Sequence, residues 1–203
     1  MKRTPMLLAA GLASITLAAC GAASTTSATP AATALSSSAT AGATGQAHNT
    51  ADVTFAQGMI PHHKQAVVMA QLASNRAKSP AVKTLAAQIQ SAQDPEITTM
   101  TGWLTSWGQP TEQPAMSGMV GHDMGSMGGM MSDADMTKLS TLTGAAFDRE
   151  FLTMMTAHHN GAIGMARTQL AQGQYAPAKT LAQNIITSQS AEIAKMKTLL
   201  TQV

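Results

Sequence analysis

The chain has 203 residues, enough for one ordinary domain, and a formal net charge of only +2. Apart from Lys2 and Arg3, ten basic residues face ten acidic ones, and this balance excludes the basic surface of a nucleic-acid-binding protein. Aromatic residues make up 3% of the chain while methionine occurs 16 times, so the core must be built largely from Ala, Leu, Ile, Val and Met.

Residues 1–20 are typical of a lipoprotein signal peptide. Lys2 and Arg3 form a basic start, and the apolar stretch 6–19 that follows is too short to span a bilayer as a mature helix. This stretch ends in Leu-Ala-Ala-Cys, which resembles the bacterial lipobox, and Cys20 is the only cysteine. We therefore expect lipidation at Cys20 and a lipid anchor on the extracytoplasmic face of the cell membrane. The alternative is an ordinary signal peptide with an incidental cysteine.

Residues 21–49 are almost all Ala, Ser, Thr and Gly. Such a composition cannot bury a core, so it predicts a disordered tether between the anchor and the folded part of the chain. A Ser/Thr-rich stalk that carries sugars is the alternative.

From residue 50 to the end, the chain is expected to form one helical domain built by duplication. Residues 52–104 align with 148–200 without a gap, and 18 of the 53 pairs are identical. Each copy predicts two helices, at about 53–76 and 81–107 in the first copy and 148–170 and 177–201 in the second. Asp52 is the expected N-cap of the first helix, and a proline lies near the start of the second helix of each copy. Two such hairpins predict an all-α four-helix bundle, with the first helices of the two copies paired across it.

The residues that the copies share fall on one face of each helix. At about 100° per residue, Met59, His62 and His63 lie in a sector of about 120° together with Phe55 and Ala66, so all of them should be buried. Buried imidazoles need partners. One interpretation is a structural network in which they bond to Asp, Gln or Glu side chains. The other is a metal site, which is favoured because methionine and two histidines recur at i, i+3 and i+4 in both copies.

The donor atoms favour copper as Cu(I), or the chemically similar Ag(I), since thioether and imidazole groups are soft ligands. Di-iron bundles use Glu-x-x-His, whereas methionine occupies the glutamate position here, and zinc would be expected to recruit Cys, His and carboxylates. Because the neutral imidazole is the ligand, binding should weaken below a pH of about 6.5. The candidate ligands are Met59, His62, His63, Met155, His158 and His159. The residues that could orient them or add a ligand are Asp52, Met69, Glu96, Met100, Asp148, Met165, Glu192 and Met196.

The segment between the copies, at about 109–132, is rich in methionine and glycine, and Met-x-x-Met spacing recurs in it. Its composition resembles the methionine motifs of exported copper-handling proteins, and a floppy linker is the alternative. A short helix should follow from about residue 132 and lead into the second copy. The candidate ligands in the segment are Met116, Met119, His122, Met124, Met127, Met130 and Met131.

Three stretches resemble the DUF305 family of exported bacterial proteins: "FAQGMIPHHKQAVVMA", "FDREFLTMMTAHHNGAIGMA" and the Gln-x-x-Glu-Ile-x-x-Met pattern that begins at Gln93 and Gln189. The resemblance covers about residues 50–203. It implies a ferritin-like helical bundle and, for members with an assigned role, copper binding and copper tolerance outside the cytoplasm. The first copy departs from the second in having Pro61 and Pro95 inside its helices, so the two halves of a site need not be equal. The positions that match the family motif are His62, His63, His158, His159, Met59 and Met155.

These features predict an exported copper-binding lipoprotein that buffers or relays Cu(I), with the metal ion and the membrane as its partners. No nucleophile–base pair or nucleotide-binding motif is visible in the sequence, so we do not expect an enzyme. The alternatives are a metal-dependent bundle oxidase and a metal-free structural module whose histidines bridge helices.

Overall fold

The computed structural model describes residues 47–111 and 128–203, which form five helices and no strand. None of these helices has the length and apolarity that a membrane crossing requires. The predicted signal peptide, Cys20, most of the tether and most of the methionine-rich segment lie outside the described residues. The helices are α1 (Thr50–Arg76), α2 (Pro80–Ser106), α3 (Asp133–Thr141), α4 (Gly144–Gln172) and α5 (Ala176–Leu200).

The helix starts follow local capping chemistry. The Asn49 side chain accepts from the Asp52 N–H at 3.1 Å, and the Asp52 carboxylate accepts from the Asn49 N–H at 2.8 Å. This is a reciprocal capping box, so α1 begins three residues earlier than expected and Asn49, not Asp52, is its N-cap. Ser132 and Asp135 form the same box at the start of α3, the predicted short helix. Pro80 is the first residue of α2, as its fixed φ favours.

Two helical hairpins, α1–α2 and α4–α5, form a four-helix bundle in which α1 packs against α4 and the outer helices touch little. Asp148, at the start of α4, accepts the backbone N–H groups of Lys78 and Ser79 in the α1–α2 turn, at 3.0 and 2.8 Å. Asp52 accepts the corresponding two N–H groups of the α4–α5 turn at 3.1–3.2 Å. Each central helix thus begins where the other ends, so α1 and α4 are antiparallel. The predicted all-α bundle of two duplicated hairpins is confirmed.

The core consists of two apolar clusters, one toward each end of the bundle. Phe147, Phe151 and Leu85 belong to the first, and Phe55 and Leu104 to the second. Between them, about halfway along the helices, lies a layer of buried polar side chains. This polar layer contains His62, His63, His158, His159, Gln93 and Gln189.

Candidate metal centre

The four histidines of the duplicated motif meet in the polar layer, and each is at most 1% exposed. His62 on α1 faces its counterpart His158 on α4, with ring centroids 3.7 Å apart and planes inclined by 38°. His63 and His159, one residue later on each helix, point instead toward the second helix of their own hairpin. The helical periodicity therefore splits each His-His pair between a shared centre and an outer partner.

Each outer histidine is held by a glutamate of its own hairpin. His63 Nε2 lies 2.7 Å from Glu96 Oε2, and His159 Nε2 lies 2.7 Å from Glu192 Oε2. Because a carboxylate accepts, Nε2 carries the proton, and in the neutral imidazole Nδ1 keeps its lone pair. Glu96 and Glu192, which the sequence predicts could orient the histidines, thus each accept a hydrogen bond from an outer imidazole, and their role toward a metal stays a prediction. Carboxylate–histidine pairs of this kind are common around metal ligands.

His62 has a partner that the sequence does not reveal. Its Nε2 lies 3.1 Å from the backbone oxygen of Gly128, which can only accept, so this nitrogen donates. Residues 128–131, here called the strap, form the returning end of the methionine-rich segment. His158 has no equivalent contact, and neither of its ring nitrogens has a hydrogen-bond partner among the described residues. The two halves of the centre are therefore unequal, as the sequence differences allowed.

The polar layer contains buried imidazole nitrogens that have no hydrogen-bond partner among the described residues. Nδ1 of all four histidines is buried and makes no hydrogen bond within the described part of the chain. Such orphaned acceptors cost on the order of 1–3 kcal/mol each unless something satisfies them. Met59 and Met155 are fully buried in the two apolar clusters on either side. Unpartnered imidazole nitrogens with thioethers on either side fit a soft metal ion such as Cu(I) or Ag(I).

The inner imidazoles are held neutral. Burial, followed by the like charge of His63, lowers the pKa of His62 to about 3. Burial and then the like charge of His62 hold the pKa of His158 well below its usual 6.5. The neutral form is the ligand form, so these two side chains stay competent to bind metal in mildly acidic solution. The expected weakening below a pH of about 6.5 is therefore corrected downward for this pair, because a buried imidazole resists protonation.

The two aspartates lie elsewhere. Asp52 and Asp148 bind backbone at the turns, and the hydrogen bonds found for them do not reach an imidazole, so the expected role in orienting the histidines is wrong for both. Burial raises the pKa of Asp52, but hydrogen bonds from the Asn49 backbone and from the side chain of Gln169, with those of the α4–α5 turn, outweigh it and leave the pKa below its usual value. These carboxylates are structural anchors.

Three of the four remaining candidate methionines are fully buried in the core, and one is half-buried beside a cavity. Met100 is fully buried in the same cluster as Met59, and Met196 in the same cluster as Met155. Met69 is also fully buried, whereas Met165 is half-buried and lines a cavity of about 480 Å³ with Gly128.

Two residues of the predicted loop site belong to the strap. Met130 and Met131 are half-buried there. Met116, Met119, His122, Met124 and Met127 lie outside the described residues.

Over residues 47–111 and 128–203, no group of three or more His, Cys, Asp or Glu side chains is arranged to hold a metal ion. Both glutamates of the layer are instead bonded to an imidazole Nε2. A site in this layer would use imidazole nitrogens and thioether sulfurs in place of a carboxylate cluster.

Comparison with known proteins agrees with this architecture. The model of the family described as a domain of unknown function, DUF305, matches residues 52–200. A search of curated proteins found no match.

Among solved structures, a DUF305 protein from Streptomyces coelicolor is 36% identical, with a TM-score of 0.68 over 75% of this chain and 93% of that one. A DUF305 fragment from Deinococcus radiodurans is 32% identical, with a TM-score of 0.68 over 76% and 98%. CopM in its Cu(I)-bound form is 33% identical, with a TM-score of 0.61 over 74% and 96%, and its Cu(II)-bound and Ag-bound forms match as well.

Proposed function

The chain belongs to the DUF305 family, and we propose that it is an exported copper-binding lipoprotein that buffers or relays Cu(I) outside the cytoplasm. The observation that carries the proposal is the polar layer, where four buried imidazoles keep unpartnered Nδ1 atoms. The similarity to CopM, a protein solved with Cu(I), Cu(II) and Ag, supports the choice of metal. Copper is the cargo of such a protein and not a resident cofactor.

Within the layer, His62 and His158 would hold the ion with Met59 and Met155. His63 and His159 would add Nδ1 ligands, or support the site through their glutamates. Two properties of these residues select a soft monovalent ion. Burial holds the pKa values of His62 and His158 low, so these two imidazoles are neutral and do not attract a hard divalent cation, and thioether sulfur has low affinity for such ions.

The methionine-rich segment would supply further, weaker sites. Thioethers do not titrate, so copper held at Met116, Met119, Met124 and Met127 should persist at a pH where imidazoles are protonated. Stores of two affinities in one chain suit a buffer that fills from the segment and keeps its tightest equivalent inside the bundle.

The lipid anchor is the part of the proposal that concerns location. Its basis is the lipobox-like sequence that ends at Cys20. The variant Cys20→Ala should move the protein from the membrane fraction to the soluble extracytoplasmic fraction, measured by fractionation and blotting. A variant that stays in the membrane fraction would show that the anchor is something other than the lipid.

A metal-free helix-bridging module is the second candidate, and the two His–Glu contacts at 2.7 Å favour it. It accounts for Nε2 of His63 and His159. It does not account for His62 and His158, because three of the four ring nitrogens of this pair have no hydrogen-bond partner within the described residues.

Anaerobic Cu(I) titration against a competing chelator tests the proposal. The double variant His62→Ala/His158→Ala should lose the tightest Cu(I) equivalent while its far-UV circular dichroism stays helical. His48→Ala is the matched control, because His48 stacks on Trp107 at 4.3 Å, away from the layer, and should bind as the parent does. Met59→Leu/Met155→Leu, which preserves volume, tests the thioethers should the histidine variant fold poorly. Unchanged tight binding in both double variants would refute the interior site.

A further inference from the structure

The two copies of the repeat have different residues at the position that lies beside the strap. The Gln65 side chain on α1 makes two hydrogen bonds to the backbone of Met131: its Nε2 donates to the Met131 oxygen at 2.8 Å, and its Oε1 accepts from the Met131 N–H at 2.7 Å. The equivalent position in the second copy is Gly161. A Cβ added there would overlap the backbone oxygen of Gly128, so no side chain fits. Gln65 on α1 therefore hydrogen-bonds to the strap, whereas the equivalent Gly161 on α4 leaves space for it.

The strap itself is shaped for this close approach. Gly128 and Gly129 have φ of +51° and +89°, in the left-handed region that favours glycine. A Cβ on Gly129 would lie 2.7 Å from the backbone oxygen of Ala157. Together with the Gln65 clamp, this packing fixes the Gly128 carbonyl 3.1 Å from His62 Nε2.

We propose that Gln65 and Gly161 are positioning residues for the His62 imidazole. By holding the strap they keep the Gly128 carbonyl on Nε2, which fixes the proton there and presents Nδ1 to the interior. That Nδ1 is the atom offered to the metal rests on the proposed function, whereas the choice of tautomer is a property of the metal-free chain.

His158 lacks any such device. Both of its ring nitrogens are buried and make no well-formed hydrogen bond in the described residues, and the polar group that acts on this ring is the backbone of His62. Three of the four imidazoles therefore have a hydrogen-bond acceptor on Nε2, two from glutamates and one from the strap, whereas His158 has none there among the described residues. The pair is asymmetric because the strap, the end of the methionine-rich segment, hydrogen-bonds to the ring of His62 and not to that of His158.

Long-range ¹H–¹⁵N correlation spectra of the full chain, labelled with ¹⁵N-histidine and purified without metal, test this directly. They show which nitrogen of each ring carries the proton, and His62→Gln assigns the His62 signals. The parent should show His62 in the Nε2–H form. Both Gln65→Ala and Gly161→Ala should convert that signal to a mixture of tautomers or to the Nδ1–H form, leaving His63 and His159 unchanged. Gln65→Glu, which keeps only the bond from the Met131 N–H, should give an intermediate result.

Two controls separate this effect from general damage. Gln71→Ala removes an exposed glutamine from the same helix as Gln65. Gly164→Ala adds a methyl group one turn beyond Gly161, where nothing lies within 4 Å. Both should give the parent spectrum. A parent His62 in the Nδ1–H form, or an unchanged His62 signal in Gln65→Ala and Gly161→Ala, would overturn the proposal, and the parent spectrum decides even where a variant fails to fold.

Cu(I) titration adds a second readout. Gln65→Ala should weaken the tightest equivalent by about tenfold, the low end of what loss of an orienting partner costs. If the parent binds no Cu(I), the proposed function fails while the tautomer result still stands. If Cu(I) binds but the tautomer does not respond to Gln65, only the positioning role fails.

Discussion

At the scale of single residues, the outer histidines show how a neighbour decides the chemistry of a ring. His63 and His159 are fully buried, yet the glutamates that bind them are 21% and 19% exposed. Each glutamate is therefore partly exposed to solvent, while the imidazole that it binds is buried in the polar layer. Because the carboxylate accepts the Nε2 proton, the lone pair of the neutral ring is left on Nδ1, which is buried.

Replacing both glutamates tests this role. Glu96→Gln/Glu192→Gln removes the charge and substitutes an amide that can donate as well as accept, so the tautomer is no longer imposed. Cu(I) affinity should fall by roughly 10–100-fold with the fold retained. Glu150→Gln is the control, because Glu150 is 26% exposed and pairs with Lys138 outside the layer. Equal affinity in parent and double variant would show that the pairs only bridge helices.

His62 and His158 make the free energy of unfolding of the metal-free protein depend on pH. His62 has a pKa of about 3 in the fold and about 6.5 when unfolded, so between these values the unfolded chain binds a proton that the native state does not. Stability should fall as pH drops through this range, by up to about 1.4 kcal/mol per pH unit for this imidazole, and His158 acts in the same direction.

Urea denaturation at pH 7 and pH 5 measures this dependence. His62→Gln/His158→Gln should flatten the difference between the two pH values relative to the parent. Gln cannot gain a proton, so the part of the slope that the variant loses belongs to the imidazoles. An identical slope in parent and variant would contradict the assignment.

At the scale of elements, the central helices are tied by reciprocal anchors. Asp52 and Asp148 each accept backbone N–H groups from the turn of the opposite hairpin. The turns would otherwise leave these donors unsatisfied at the ends of the bundle. Lengthening the first helix of either copy would move its turn away from the other copy's aspartate, so the anchors require first helices of matched length.

Asp148→Asn should lower the free energy of unfolding by about 1–3 kcal/mol, the cost of weakening two charge-assisted hydrogen bonds that are partly buried. Asp52→Asn should do the same, and it also breaks the α1 capping box. Urea denaturation of the metal-free protein measures both, and Asp94→Asn, an exposed site on α2, should be neutral. If either anchor variant is as stable as Asp94→Asn, the reciprocal anchors are not what joins the hairpins.

The sequence predicts the elements well and their junctions less well. The duplication, the prolines at the second helices and the apolar periodicity are local signals, and they predict all four long helices to within a few residues. The Asn49-x-x-Asp52 capping box is also local and was readable, since Asn is a stronger N-cap signal when Asp follows at N3. The contact between Gly128 and His62 spans 66 residues and depends on the packing of Gly161, so no local pattern could predict it.

At the scale of the whole molecule, the core of the bundle consists of a polar layer between two apolar clusters. The clusters stabilise the bundle, so the layer can keep unsatisfied nitrogens without unfolding it. The pattern of shared residues predicts the burial of the four histidines and of Met59 and Met155, and the structure places them as expected. Their metal-binding role stays a prediction, since it depends on an ion that burial and hydrogen bonding alone do not identify.

The proposed interior site binds copper through imidazole and thioether groups together. X-ray absorption spectroscopy at the copper edge tests it most directly, on the Cu(I) protein whose Met116, Met119, His122, Met124 and Met127 are replaced by serine. With one equivalent bound, the first shell should contain both nitrogen and sulfur, and the additional variant His62→Ala/His158→Ala should have a smaller nitrogen component. A shell of sulfur alone, or no retained copper once the segment's ligands are gone, would contradict it.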